Sequence, residues 1–168
     1  GTEGLLKEAQ ITLNSPRKEF LNQIESLKDS LKDKEKENKT LRQKLANLKY
    51  QKEEEQIQKI KDVSVLIQRV EGLDKKELRE LSDSLKQKIG SGVVVLATAL
   101  EQKVFIVASI SRDLVNRISA NEFIDRIAPL IGGGGGGRAD FAQAGGTKLE
   151  KLDKVLKESY TILESLIS

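Results

Sequence analysis

The stretch IGGGGGGRADFAQAGG, Ile131 to Gly146, sets six consecutive glycines, Gly132 to Gly137, directly before a run of specific side chains. Glycine loses more backbone entropy on folding than any other residue, so a folded domain that concentrates it needs a reason. A flexible linker is one reason, because glycine-rich segments behave as random coil. No Ser dilutes this run, however, and Arg138-Ala-Asp-Phe-Ala-Gln143 follows at once. A nucleotide-binding loop is a second. Gly132, Gly134 and Gly137 match the spacing of the dinucleotide fingerprint, as any six-glycine run does. That fingerprint follows a strand, whereas the segment before Gly132 reads as a helix, and no Gly-Lys-Ser/Thr completes a P-loop. The third reading is a loop whose backbone approaches a partner closely, with positive φ angles and bare N–H groups turned outward. Such nests bind anions, phosphate among them. Arg138 then supplies the guanidinium fork that suits phosphate.

Outward from the glycines, Ser119-Ala120-Asn121-Glu122 has the form of a capping box opening a helix through Phe123, Ile124, Ile127 and Ile131. On the other side, Leu149, Leu152, Leu156, Leu163 and Leu166 give a closing helix. Further upstream, Val63 to Ile67 reads as a strand ending near Glu71-Gly72. Asp74-Lys75-Lys76-Glu77 is a second capping box, and Leu78, Leu81, Leu85 and Ile89 form the buried stripe of its helix, closed by Gly90-Ser91-Gly92. Val93 to Leu100 and Val104 to Ile110 are apolar strands, with Glu101-Gln102-Lys103 short enough for a hairpin. The order β-α-β-β-α-loop-α predicts an α+β domain over residues 61–168, a small mixed β-sheet with packed helices.

Residues 1–60 read differently. From Leu13 to Leu48 the apolar residues Leu13, Phe20, Ile24, Leu27, Leu31, Leu41, Leu45 and Leu48 step by three and four among Lys, Glu, Asp, Gln and Asn. That spacing predicts a long, coiled-coil-like helical arm with a start marked by Ser15-Pro16-Arg17-Lys18-Glu19. Lys34 and Asn38 fall in the seam, where polar residues either set register or mark the helix leaving its partner. Glu53-Glu54-Glu55 reads as a solvated face.

Composition excludes several functions. The 168 residues carry 29 Lys and Arg against 26 Asp and Glu, a net charge of +3, so nucleic-acid binding would need the charge gathered on one face. The charged fraction of 33% with 4% aromatics leans towards long helices, and the Lys/Glu-rich, Cys-free make-up towards a thermophile. Without Cys there are no disulfides, thiol nucleophiles or Cys-based zinc sites; without His the commonest general base and metal ligand are missing. No metal or catalytic residue is therefore expected. No apolar run reaches the length of a membrane span and no signal peptide opens the chain. A chain that begins at Gly1 and has no Met is expected to be a piece of a longer, cytoplasmic protein.

The segment GGGGGGRADFAQAGG closely resembles the C-terminal region of bacterial alanyl-tRNA synthetases. In that region a glycine run is followed by Arg, a small residue or Pro, Asp, a bulky apolar residue and Ala-Gln-Gly/Ala-Gly. The order of flanking helices, hairpin and helical arm agrees as well. Broader relatives are the domains that accompany DHH-type phosphodiesterases, whose similar glycine motif carries a His that this chain lacks. The resemblance implies a non-catalytic tRNA-binding module of an alanine–tRNA ligase. Such a module engages the elbow of the L-shaped tRNA, helps one tRNA serve the aminoacylation and editing sites, and can homodimerise through its arm. The ATP, magnesium and zinc of the parent enzyme would lie in segments absent here. The alternatives are an oligonucleotide-binding domain of a DHH-type phosphodiesterase and a purely structural coiled-coil oligomer.

The candidate RNA-binding residues are Gly134, Gly135, Gly136, Gly137, Arg138, Gln143, Lys148 and Lys151. Arg138 is expected to contact phosphate or else to pair with Asp140, which itself is expected to hold the loop through backbone N–H groups. Gln143 is suited to a base edge, a 2′-hydroxyl or a strand backbone. Lys148, Lys151, Lys154 and Lys157 recur every third residue, as a solvated face or as a basic patch shared with Arg138. Arg112, Arg117 and Arg126 are candidates to extend that patch. Phe105 and Phe123 read as core, leaving Phe141 for base stacking.

Overall fold

The computed structural model describes residues 1–12, 17–51 and 56–168. Leu13, the Ser15-Pro16 helix start and Glu53-Glu54-Glu55 lie outside the described residues. The chain divides into two compact units, Gly1–Arg42 and Gln43–Ser168.

The first unit is helical. Helix α1 (Thr2–Thr12), which the seam from Leu13 onward did not announce, precedes α2 (Arg17–Gln51), whose last turns belong to the second unit. Three-four spacing makes α2 long, and most of its stripe is exposed among the described residues. Phe20 is buried, whereas Leu27, Leu31, Leu41, Leu45 and Leu48 are 52–64% exposed. At the polar seam position Lys34 ion-pairs with Glu37 at 2.7 Å.

The second unit is built on a six-stranded sheet. Strand β1 (Gln58–Ile60) pairs antiparallel with β2 (Val63–Glu71), which runs parallel to β3 (Val93–Leu100) after the crossover helix α3 (Lys75–Ile89). The hairpin of β3 with β4 (Lys103–Ile110) forms as expected. Asp74 caps α3 with both capping-box bonds present, to Glu77 N–H at 2.8 Å and from Glu77 back to the Asp74 N–H at 2.9 Å. The box read at Ser119 does not form. Helix α4 (Ala120–Ile127) does start there, but no cap bond from the Ser119 side chain is made, and the Ala139 carbonyl takes the Ala120 N–H at 2.9 Å. A 3₁₀ turn (Ala128–Ile131) leads into the glycines.

The glycine run is not a loop. Gly134–Gly137 is strand β5, paired antiparallel with β6 (Phe141–Gly146), and β6 in turn pairs with β4. The sheet order is β1-β2-β3-β4-β6-β5, with the glycine strand at one edge. A 3₁₀ turn (Leu149–Lys151) then opens the closing helix α5 (Leu152–Leu166).

Period-two alternation gives the sheet two apolar faces. One carries Val65, Val95, Ile106, Ala142 and Ala144 under α4 and α5, with Phe123, Ile124, Ile127 and Leu152 fully buried. The other carries Leu66, Leu96 and Val107 under Leu78, Leu81 and Leu85 of α3. Ala46 of α2 packs into this second core, and the Gln43 amide donates to Glu80 at 3.0 Å.

Candidate nucleic-acid interface

The six glycines fall into three roles. Gly132 has φ +69° and caps the 3₁₀ turn in the left-handed region. A methyl group there would press on the Lys148 side chain, with Cγ only 2.8 Å away. The stem of Lys148 therefore lies across the entrance to β5. Gly133, Gly135 and Gly137 have no room for a side chain: a Cβ would overlap the carbonyls of Gly145, Gln143 and Phe141 respectively. Gly135 also lies against Ile124 of α4. Gly134 and Gly136 face the other way, at ordinary φ, and a Cβ on either would meet nothing within 4 Å.

The Arg138 N–H donates to the Phe141 carbonyl at 2.8 Å, closing a two-residue turn over Ala139-Asp140. Antiparallel alternation from that pair puts Gly136 opposite Gln143 and Gly134 opposite Gly145 as bonded pairs. The N–H groups of Gly135 and Gly137 then point away from β6 at the sheet edge. The strand thus offers a side-chain-free face and outward N–H groups together.

Arg138 and Lys148 stand at opposite ends of β5, roughly 20 Å apart along the strand. Arg138 is 76% exposed, and its guanidinium pairs with the Asp140 carboxylate at 3.1 Å. Asp140 thus holds the turn through Arg138, and its carbonyl accepts the Ile110 N–H at 2.9 Å. Gln143 is half-buried on the Gly134–Gly136 face. Lys151 is exposed at the end of the 3₁₀ turn and Lys154 and Lys157 on the closing helix, Lys154 paired with Glu158 at 3.7 Å.

A family model for the DHHA1 domain matches residues 62–165. The chain belongs to the DHHA1 domain family. This DHHA1 domain is also 31% identical to the C-Ala domain of Aquifex aeolicus alanyl-tRNA synthetase, covering 64% of this chain and 97% of that one with a TM-score of 0.60. It is 40% identical over 164 residues to an alanine–tRNA ligase of Halalkalibacterium halodurans, 96% of this chain. A Pelotomaculum thermopropionicum alanine–tRNA ligase matches at 35% over 97%. The chain spans 19% of the length of these two ligases.

Two further arginines of this DHHA1 domain are engaged elsewhere. Arg117 pairs with Asp62 at 2.9 Å and donates to the Ser168 carbonyl, and Arg126 donates to the Ser165 hydroxyl at 3.2 Å. Arg112 is exposed beside the first turn after β4. Phe123 is core as expected, but Phe105 is only half-buried, its ring 3.7 Å from where a Gly145 Cβ would stand. One residue of the site carried no sequence signal: Arg79 of α3 lays its guanidinium over the Phe141 ring, 4.6 Å from its centroid. Among the described residues no cluster of three or more Asp or Glu is placed to hold a metal, and no helix is long and apolar enough to cross a membrane.

Proposed function

We propose that this chain is the C-terminal tRNA-binding module of a cytoplasmic alanine–tRNA ligase, without catalysis of its own. In this reading β5 meets the sugar–phosphate backbone at the tRNA elbow, Arg138 and Lys148 bracket the contact, and Lys151 extends it. Docking there helps one tRNA reach the aminoacylation and editing sites of the parent enzyme, and α2 joins two copies. The synthetase's ATP, magnesium and zinc belong to segments outside this chain, whose own sequence has neither His nor Cys to offer zinc.

One observation carries this reading. Gly134 and Gly136 are glycine where the fold itself does not ask for glycine, because a side chain on either would project into open space. Glycine inside a strand weakens the sheet and often marks a place where a ligand or another backbone approaches closely. Phosphate contacts carry no sequence information, so binding is expected to be similar across tRNAs.

The test is a titration of tRNA against the wild type and a Gly134→Val, Gly136→Val double variant, with circular dichroism on both. The variant is expected to stay folded and to bind about tenfold more weakly, the loss of one or two charge-assisted contacts. Wild-type affinity in the folded variant would remove β5 from the RNA surface.

A further inference from the structure

Arg79 projects from α3 one turn before Ser82, whose hydroxyl meets that of Ser109 at 2.6 Å in the buried seam between helix and sheet. Ser109 is in turn the register partner of Phe141. This chain of contacts fixes α3 over the sheet, and the Arg79 guanidinium lies over the half-buried Phe141 ring. A guanidinium over an aromatic face is attracted by the ring quadrupole.

What Arg79 lacks is as informative as what it touches. Arg69, Arg117 and Arg138 each have a carboxylate within 3.1 Å. Among the described residues Arg79 has none within ion-pair distance. Arg79 is itself exposed, beside a strip of sheet in which Gly134 is exposed and Gly136 and Gln143 are half-buried. Gln143 follows Phe141 on that face, about 7 Å along the strand. Gly136 and Gly134 lie opposite Gln143 and Gly145 with no side chain to fill the space above.

We infer that the Arg79–Phe141 stack holds one unstacked nucleobase of the bound RNA, its edge over the Gln143 amide. A phosphate would use only the donors at the edge of the guanidinium and leave its face unused. A base gains a planar cationic surface at stacking height, and the Gln143 amide offers it both a donor and an acceptor. The bare glycines leave room for the sugar. The inference rests on the tRNA-binding reading above and adds a base contact to what would otherwise be backbone recognition alone.

The experiment is titration of a tRNA-Ala transcript against the wild type, Arg79→Lys, Arg79→Ala and Arg138→Ala, each over a series of salt concentrations. Arg79 is exposed, so its variants are expected to keep the wild-type circular dichroism spectrum. Loss of the stack is expected to weaken binding by at least about fivefold in Arg79→Ala. Arg79→Lys, which keeps the charge and loses the plane, is expected to fall nearly as far, with a salt slope within error of the wild type. Arg138→Ala, by contrast, is expected to reduce the slope by about one counterion. Arg79→Lys binding like the wild type while Arg79→Ala loses about one unit of slope would make Arg79 a phosphate contact and overturn the stacked base. Wild-type affinity in Arg79→Ala would overturn any role for the residue. A wild type that does not bind the transcript would overturn the tRNA reading and this inference with it.

Discussion

Lys61, Asp62, Glu101 and Gln102 have φ of +46°, +67°, +49° and +64°, a region that L side chains adopt at a cost. Each pair forms the centre of a two-residue hairpin turn, where right-handed strand twist favours positive φ and Asn-Gly serves best. At Glu101-Gln102 both side chains are exposed, so Glu101→Asn with Gln102→Gly is expected to raise stability by about 1 kcal/mol in urea unfolding. At Lys61-Asp62 the strain has a use. The Arg117 guanidinium hydrogen-bonds the Asp62 carboxylate and holds its pKa below the usual range. A carboxyl whose folded pKa is depressed stabilises the fold above its unfolded value and loses that contribution as pH falls through the folded one. Asp62→Asn is therefore expected to flatten the decline in stability below about pH 4, measured by urea unfolding across pH. A third residue-scale feature is Gln68 on β2, buried with neither amide atom hydrogen-bonded among the described residues. Replacing it by Met removes the unsatisfied groups at similar volume and is expected to add about 1 kcal/mol.

At the scale of elements, β5 is where reading and structure part. Glycine is depleted in strands, so six in a row give no strand signal. The strand forms because β6 presents an open edge, and because Gly133, Gly135 and Gly137 let the two backbones and α4 close to distances no Cβ permits. The alternation yields a sharp expectation: Gly135→Ala should lower stability by several kcal/mol, as overpacking against backbone does, whereas Gly134→Ala should leave it unchanged or slightly raise it. Thermal unfolding of the two single variants checks the contrast. Helix α3 was legible because its capping box is local, all its partners lying within four residues. The box at Ser119 does not form, and the start of α4 is held instead by a distant contact, the Ala120 N–H donating to the Ala139 carbonyl. Arg79 was illegible in the same way. Its stack on Phe141 joins α3 to β6, and nothing near either residue in sequence announces it.

At the scale of the whole molecule, the leucines of α2 stand out: among the described residues Leu27, Leu31, Leu41, Leu45 and Leu48 expose more than half their surface. Sedimentation is expected to show a dimer at micromolar concentration, weakened by Leu27→Lys with Leu45→Lys. A wild type that stays monomeric at high micromolar concentration would remove the arm from self-association. The α+β fold was readable from apolar strand runs, capping boxes and three-four spacing, whereas β1, β5 and β6 were not read as strands. The sorting of the glycines was not, because it depends on register against β6. That sorting underlies the central claim, that the side-chain-free face of β5 docks on the outer corner of tRNA. Hydroxyl-radical footprinting of full-length tRNA with the wild type and with the Gly134→Val, Gly136→Val variant tests it most directly. Protection is expected at the elbow with the wild type and to fade with the folded variant; protection confined to the acceptor or anticodon ends, or an elbow footprint that the variant leaves intact, would contradict it.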